Sequence, residues 1–148
     1  DEISEGDMIN LSAPVGGFSI ENTERPQLFI GSGVGMTPLV SMFKKAASLN
    51  VPTQMIQAVV TEDERPFAQK LDSITDNYEQ AQLHLHVKDK EGYLEAKELE
   101  QYLSEQPEIY ICGGTKFLHS IINSLKELNY DMNHVHFETF IPRLSVQV

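Results

Sequence analysis

Beyond residue 26, apolar positions follow two rhythms that take turns along the chain. Short, nearly unbroken apolar runs occur at "QLFI" (27–30), "QMIQAVV" (54–60), "QLHLHV" (82–87), "EIYIC" (108–112) and "HVHFETF" (134–140). Between them, apolar residues recur every three or four positions: Leu39, Phe43, Ala46 and Ala47, then Phe67, Leu71, Ile74 and Tyr78. Leu94, Leu99, Tyr102 and Leu103 mark a shorter stretch, and Phe117, Leu118, Ile121, Ile122, Leu125 and Leu128 a longer one. The first rhythm is that of strands, the second that of helices with one buried stripe. Thr37 reads as an N-cap with Pro38 at the first helical position, and Asn50 ends that helix. Pro66 opens the second helix, and Gly113-Gly114 turns the fourth strand into the last one. Five strands alternating with four helices through short connections predict an α/β fold. It is a doubly wound five-stranded parallel sheet, order 3-2-1-4-5, with helices on both faces. Residues 7–20, "DMINLSAPVGGFSI", read as one strand and a loop with no neighbours of their own to pair with.

Such sheets bind ligands beyond the carboxyl ends of their strands. Those ends are Gly31 to Gly35, Val60 to Arg65, Cys112 to Thr115 and Glu138 to Phe140. The two glycine-rich ends belong to the first and fourth strands, which are neighbours in the expected order. "GSGVGMTP" (31–38) runs Gly31, Ser32, Gly33, Val34, Gly35, Met36, Thr37, Pro38. Its spacing is neither G-x-G-x-x-G nor the Lys-bearing P-loop. Glycine here serves a tight strand-to-helix turn with or without a ligand. It also lets a diphosphate approach the N–H groups at the helix N-terminus. "YICGGTKF" (110–117) has the same form and adds Cys112, Gly113, Gly114 and Phe117. Cys112 could act as a nucleophile, a redox thiol or a small residue against a ligand; with only Lys116 as a local cation, packing is the favoured role.

Charge narrows the partners. The chain carries 22 acids against 11 bases, a net −11, which argues against nucleic acid and anionic membrane surfaces as partners. It does not exclude a phosphate, because charges beyond roughly 8 Å are screened at physiological salt while local donors are not. "TEDERPF" (61–67) follows the second strand, where this fold contacts the adenosine ribose. Its three acids disfavour a 2′-phosphate and Arg65 favours one, so the expectation is NADH over NADPH. "HLH" (84–86) and "HVH" (134–136) each put two imidazoles on one strand face, but no accompanying Cys or Asp pattern supports a metal, and none is expected. The acids of 89–108 read as a solvated helix face or a docking surface, and Lys44 and Lys45 as ordinary surface charge. A single cysteine excludes an internal disulfide and fits a reducing cytosol, so a cytoplasmic location is expected. No run approaches the ~20 apolar residues of a membrane helix. A start at Asp1 without Met reads as a piece of a longer protein.

"GSGVGMTPLVSM", "YICGGTKFLHSIINSL" and "HVHFETFIP" together resemble the pyridine-nucleotide domain of the ferredoxin–NADP reductase superfamily, with the reductase end of flavohaemoglobins (nitric oxide dioxygenases) most alike. The opening "EGDMINLSAPVGGFSI" resembles the last strand of that family's FAD-binding barrel, so the likeness spans nearly the whole chain. It implies a barrel remnant and linker at 1–24 and an NAD(P)H-binding reductase domain at 25–148. It also implies that Gly31, Gly33 and Gly35 form the pyrophosphate turn, within the Ser32, Val34 and Met36 backbone. Thr37 and Pro38 would start the helix touching pyrophosphate and the nicotinamide side, and Thr61 and Arg65 would lie by the adenosine ribose. Cys112, Gly113, Gly114 and Phe117 would lie by the nicotinamide, and Glu138 and Phe140 would be the C-terminal acid and the aromatic near the flavin. "EGYL" (91–94) resembles the turn before the family's third helix. The implied cofactors are NADH or NADPH, FAD held by an upstream domain, and haem in a preceding globin domain. The implied activity is hydride transfer to FAD, with electrons passing to haem and O₂ to convert nitric oxide to nitrate. Gly114 stands where the family usually has proline, and the family's Arg-x-Tyr-Ser/Thr flavin motif and globin are absent from the chain. Two other readings are compatible: the reductase component of an iron–sulfur oxygenase, and a non-catalytic nucleotide-sensing domain.

Overall fold

The computed structural model describes residues 20, 23–33 and 36–139. Five parallel strands form one sheet in the order β3-β2-β1-β4-β5. They are β1 (Gln27–Ser32), β2 (Thr53–Val59), β3 (Ala81–Val87), β4 (Glu108–Gly113) and β5 (Val135–Thr139). The helices are α1 (Thr37–Ser48), α2 (Ala68–Asn77), α3 (Lys88–Glu91), α4 (Ala96–Leu99) and α5 (Thr115–Glu127). This is the doubly wound sheet and strand order that the apolar rhythm predicts. Residues 1–19, 21 and 22 lie outside the described residues, and with them the expected barrel strand.

Central strands β1 and β4 are buried on both faces, which is why they read as unbroken apolar runs. Alternate residues go to opposite cores. Phe29, Met55, Tyr110 and Cys112 pack under α1 and α2, with Leu39, Phe43, Leu71 and Ile74. Leu28, Ile30, Ile56, Ile109 and Ile111 pack under α4 and α5, with Leu99, Leu118, Ile121 and Leu125. Each fully buried side chain of this size contributes roughly 1.5–3 kcal/mol. Phe29 stacks on Tyr110 at 5.0 Å and Tyr110 on His136 at 5.1 Å, an aromatic row crossing β1, β4 and β5 on the α1 face.

Several boundaries differ from the sequence reading. Thr37 is the first residue of α1 rather than its cap; Met36 takes the cap position, with no side-chain hydrogen bond to the helix end. Proline is tolerated at either of the first two helical positions, since neither N–H has an intrahelical acceptor. Pro66 does not open α2. Phe67 intervenes in the left-handed region (φ 62), and the helix starts at Ala68. The stretch from Leu94 to Leu103 is four residues of α-helix and a 3₁₀ turn rather than one helix. A further short helix, α3, follows β3 directly. A 3₁₀ turn at Met132–His134 delays β5 to Val135.

The acid run also contains an exception. Glu108 is 2% exposed, not part of a solvated face. At the amino end of β4 its carboxylate accepts from His134 Nδ1 (2.9 Å) and His136 Nε2 (2.6 Å), and Arg25 Nε lies 3.4 Å away. The "HVH" pair, His134 at the end of the 3₁₀ turn and His136 in β5, therefore holds a buried carboxylate.

Candidate functional site

The carboxyl ends of β1 and β4 lie side by side, with Gly31 opposite Cys112 in the strand register and Cys112 opposite Glu138. The two glycine corners touch: a Cβ added at Gly113 would lie 3.0 Å from Ser32 Oγ and 2.8 Å from Phe117 Cδ2. The glycines differ in what they do. A Cβ at Gly31 would lie 2.7 Å from Met36 Cβ and 2.9 Å from Leu39 Cδ1, so its bareness lets α1 seat on the end of β1. Gly33 has φ +61, and nothing lies within 4 Å of where its Cβ would be. Gly114, the cap of α5, is equally open. Gly33 therefore exposes main chain to a ligand, whereas Gly31 is consumed by packing.

Both long helices that begin here lack a side-chain cap bond and an acidic residue in their first turn. A helix N-terminus without an acidic residue in its first turn favours a nearby anion.

A cleft of about 690 Å³ opens from these corners toward the ends of β2 and β3 on the α5 face. Ser32, Gly33, Arg65 and Phe117 line it, with Asp63, Glu64, His86, Lys88, Gly92, Tyr93 and Ser120. Arg65 is engaged by the protein itself. Its Nε donates to Gln57 Oε1 (3.2 Å) and its guanidinium pairs with Asp72 (3.1 Å), while Gln57 donates to the Pro66 carbonyl. Thr61 begins the turn that carries Asp63 and Glu64, its carbonyl accepting from the Glu64 N–H, but does not line the cleft. Met36 is buried in the α1 core, and Thr37 and Pro38 start α1. Val34, Gly35 and Phe140 lie outside the described residues.

Cys112 is 2% exposed. Burial, and secondly the charge of Glu138, push its thiol up to about 12. At pH 8 roughly one thiol in ten thousand would be ionised, which removes the nucleophile reading. The native chain should therefore resist iodoacetamide at pH 8 and label readily once unfolded in urea. Equal labelling rates would overturn this placement. Burial likewise raises the Glu138 carboxyl above its usual range.

Three residues of the cleft were not expected there: His86, read only as half of an imidazole pair, Tyr93, read only within the "EGYL" turn, and Lys88. Tyr93 is 67% exposed, and Lys88 Nζ lies 4.4 Å from its ring centroid. A large aromatic left in solvent at a cleft mouth offers a flat ligand a stacking face. Its only sequence signal was an aromatic in a Gly-containing turn. His84 and His86 do not form a metal pair: His84 bonds Gln54 and His86 the Gly92 carbonyl. Among the described residues no group of three or more His, Cys, Asp or Glu could hold a metal ion. No described helix is long and apolar enough to cross a membrane.

A doubly wound sheet with two open glycine corners at its switch point defines a dinucleotide-binding α/β domain. Residues 29–122 match the oxidoreductase NAD-binding domain family, and the chain belongs to that family. It is 29% identical to a flavohemoprotein of Bacillus cereus over 99% of its own length and 40% of the relative's. Flavohemoprotein B of Dictyostelium discoideum is 28% identical, over 97% of this chain and 37% of that one. The chain thus spans about two-fifths of the curated relatives it matches. Among solved structures, the FAD/NAD-binding domain of nitric oxide dioxygenase from Vibrio cholerae superposes with a TM-score of 0.76 at 26% identity, covering 88% of this chain and 57% of that one. Flavohemoglobin from Malassezia yamatoensis, solved with FAD and heme, shares the fold (TM-score 0.71, 19% identity, 81% of this chain and 33% of that one). The likeness to the reductase part of flavohaemoproteins, expected from three motifs, is borne out.

Proposed function

We propose that the chain is the NAD(P)H-binding module of a flavin reductase, lying NADH across the carboxyl edge of its sheet. The observation that carries this is the open, positive-φ Gly33 at the end of β1, lining a cleft that runs past Phe117 of α5 to an exposed tyrosine. The strand order then sets the order of the ligand's parts. The adenosine half lies in the cleft by β2 and β3, with the adenine on Tyr93. The diphosphate crosses the Gly33 corner, drawn by the N–H groups opening α1. The nicotinamide reaches β4 and β5, where Gly114 leaves the corner open beside Cys112 and Glu138, and Phe140 is proposed as the aromatic near the flavin.

When bound, the nicotinamide supplies a hydride and FAD accepts it. No proton need move on the protein, so this chain's residues orient and exclude water. Cys112 stays a neutral thiol and gives a small surface, while Glu138 supplies a carboxylate facing the β4 corner. Residues 1–24 are proposed as the last strand of an FAD-binding barrel and its linker, and 25–148 as the nucleotide domain. In the whole protein a haem would supply the oxygen chemistry of nitric oxide dioxygenation, in keeping with relatives named flavohemoprotein and nitric oxide dioxygenase.

NADH is favoured over NADPH because Asp63 and Glu64 line the adenosine end while Arg65 is engaged elsewhere. Calorimetry should find NADH and ADP-ribose binding alike and NADPH weaker by about tenfold, or ~1.4 kcal/mol. Comparable binding of unrelated phosphates would count against the site. Alone, the chain should not oxidise NADH. Joined to its FAD-binding domain, anaerobic NADH should bleach the flavin, and a flavin that stays oxidised would end the hydride-transfer reading.

A further inference from the structure

One wall of the cleft is a turn whose helical part is tied down by the Gly92 N–H to the Lys88 carbonyl (2.8 Å), by the Asp89 N–H to the Val60 carbonyl (3.0 Å) and by a Lys90–Glu62 ion pair. After β3, which is an edge strand, the chain makes the single helical turn α3 and then Gly92, at φ 77 and ψ −166, before Tyr93. Tyr93 is exposed, and its ring touches only the Lys88 ammonium among the aromatic and cation contacts of the described residues. The tip of the turn, at the Gly92 carbonyl, is held by a buried side chain from the strand itself. His86 is 7% exposed, and its Nε2 lies 2.9 Å from the Gly92 carbonyl. A carbonyl only accepts, so Nε2 carries the hydrogen. The other ring nitrogen faces Glu91 at 3.7 Å, and Glu91 in turn accepts from the Val87 N–H at 2.9 Å. His86 thus spans the turn from its base to its tip, and the dinucleotide chemistry described above does not use it.

We propose that His86 is a positioning residue for the adenosine half of the dinucleotide: through the Gly92 carbonyl its imidazole fixes the turn that presents the Tyr93 ring to the cleft. This rests on the reading of the cleft as a dinucleotide site. A bare turn with a left-handed glycine has many conformers, and only those with the Tyr93 ring facing the cleft bind. A ligand's apparent affinity falls by the fraction of molecules that are competent. His86 acts by raising that fraction before the ligand arrives.

The test is a coupling measurement on the full chain. His86→Leu removes the donor, whereas His86→Gln keeps an N–H of similar reach. Affinity for ADP-ribose should fall about five- to tenfold in His86→Leu and stay within about twofold in His86→Gln. Reduced nicotinamide mononucleotide, which lacks the adenosine half, should bind all three alike. In a Tyr93→Ala background, His86→Leu should cost nothing further, because the two act as one unit. Additive losses, a Gln variant as weak as the Leu variant, or an equal loss for the mononucleotide would each overturn the proposal. Should His86→Leu not fold, NMR of the ¹⁵N-labelled wild-type chain serves instead. The Nε2–H tautomer with a Gly92 carbonyl coupling is expected, and an Nδ1–H tautomer refutes it. If the wild type binds NADH and ADP-ribose but the variants fail to discriminate, only the role of His86 falls. If the wild type binds neither, the dinucleotide reading falls first and this proposal with it.

Discussion

Glu108→Leu is expected to lower the melting temperature of the chain by about 5–10 °C, from a loss of about 2–3 kcal/mol. The carboxylate side chain is 3% exposed and meets three basic groups, Arg25, His134 and His136. Removing one partner of a buried ionic group costs roughly 3–5 kcal/mol when the others stay buried. Here the three partners are 24–28% exposed and recover some hydration, which brings the loss to the bottom of that range or just below it. Arg25 matters most, since its Nε is buried with no hydrogen-bond partner and depends on the nearby charge of Glu108. Nucleotide affinity, measured where both proteins are folded, should stay within about twofold, because Glu108 and Gly113 are the opposite ends of β4. A melting temperature within about 2 °C of wild type would show that the cluster does not hold β5 and the segment before β1 to the sheet.

The second large effect is on binding. Gly33→Val should lower ADP-ribose affinity by at least about tenfold while the chain still folds. No atom of the described residues lies within 4 Å of the added Cβ, so the described core is not disturbed. The backbone at φ +61 is the cost, roughly 1–2 kcal/mol for a residue with a Cβ. Gly33→Asn separates bulk from strain, since asparagine accepts the left-handed region but still fills the corner. Both variants should lose affinity, with only the Val variant markedly less stable. Wild-type affinity in both would mean that the diphosphate lies elsewhere. Gly31→Ala should behave oppositely, costing about 1–3 kcal/mol of stability because its Cβ would meet Met36 and Leu39 inside the core.

The contrast between Gly31 and Gly33 marks the limit of what could be read along the chain. Both are glycines in one turn, two positions apart, and no local pattern says which is bare for a helix and which for a ligand. The same limit explains Arg65. Beside Asp63 and Glu64 it reads as a cation available to a phosphate, yet Gln57 and Asp72 hold it. Glu108 sits among acids that are solvated, and only the arrival of β5 and the turn before it, with an imidazole from each, lets it be buried. His86 and Tyr93 are seven residues apart, and they join one wall only because Gly92 folds the turn back onto β3.

Apolar periodicity alone determined that this chain builds a covered parallel sheet, because a strand buried on both faces must be apolar throughout and its crossover helices on one stripe. Glycine at two strand ends determined where a ligand could approach the main chain, and three ordered motifs determined the family. Tertiary structure decided the rest: the glycine that α1 occupies, the arginine already paired, the carboxylate taken into the interior, and the histidine that steadies the cleft. Each depends on a neighbour brought in by another strand, helix or turn, and proximity of that kind leaves no period in the sequence.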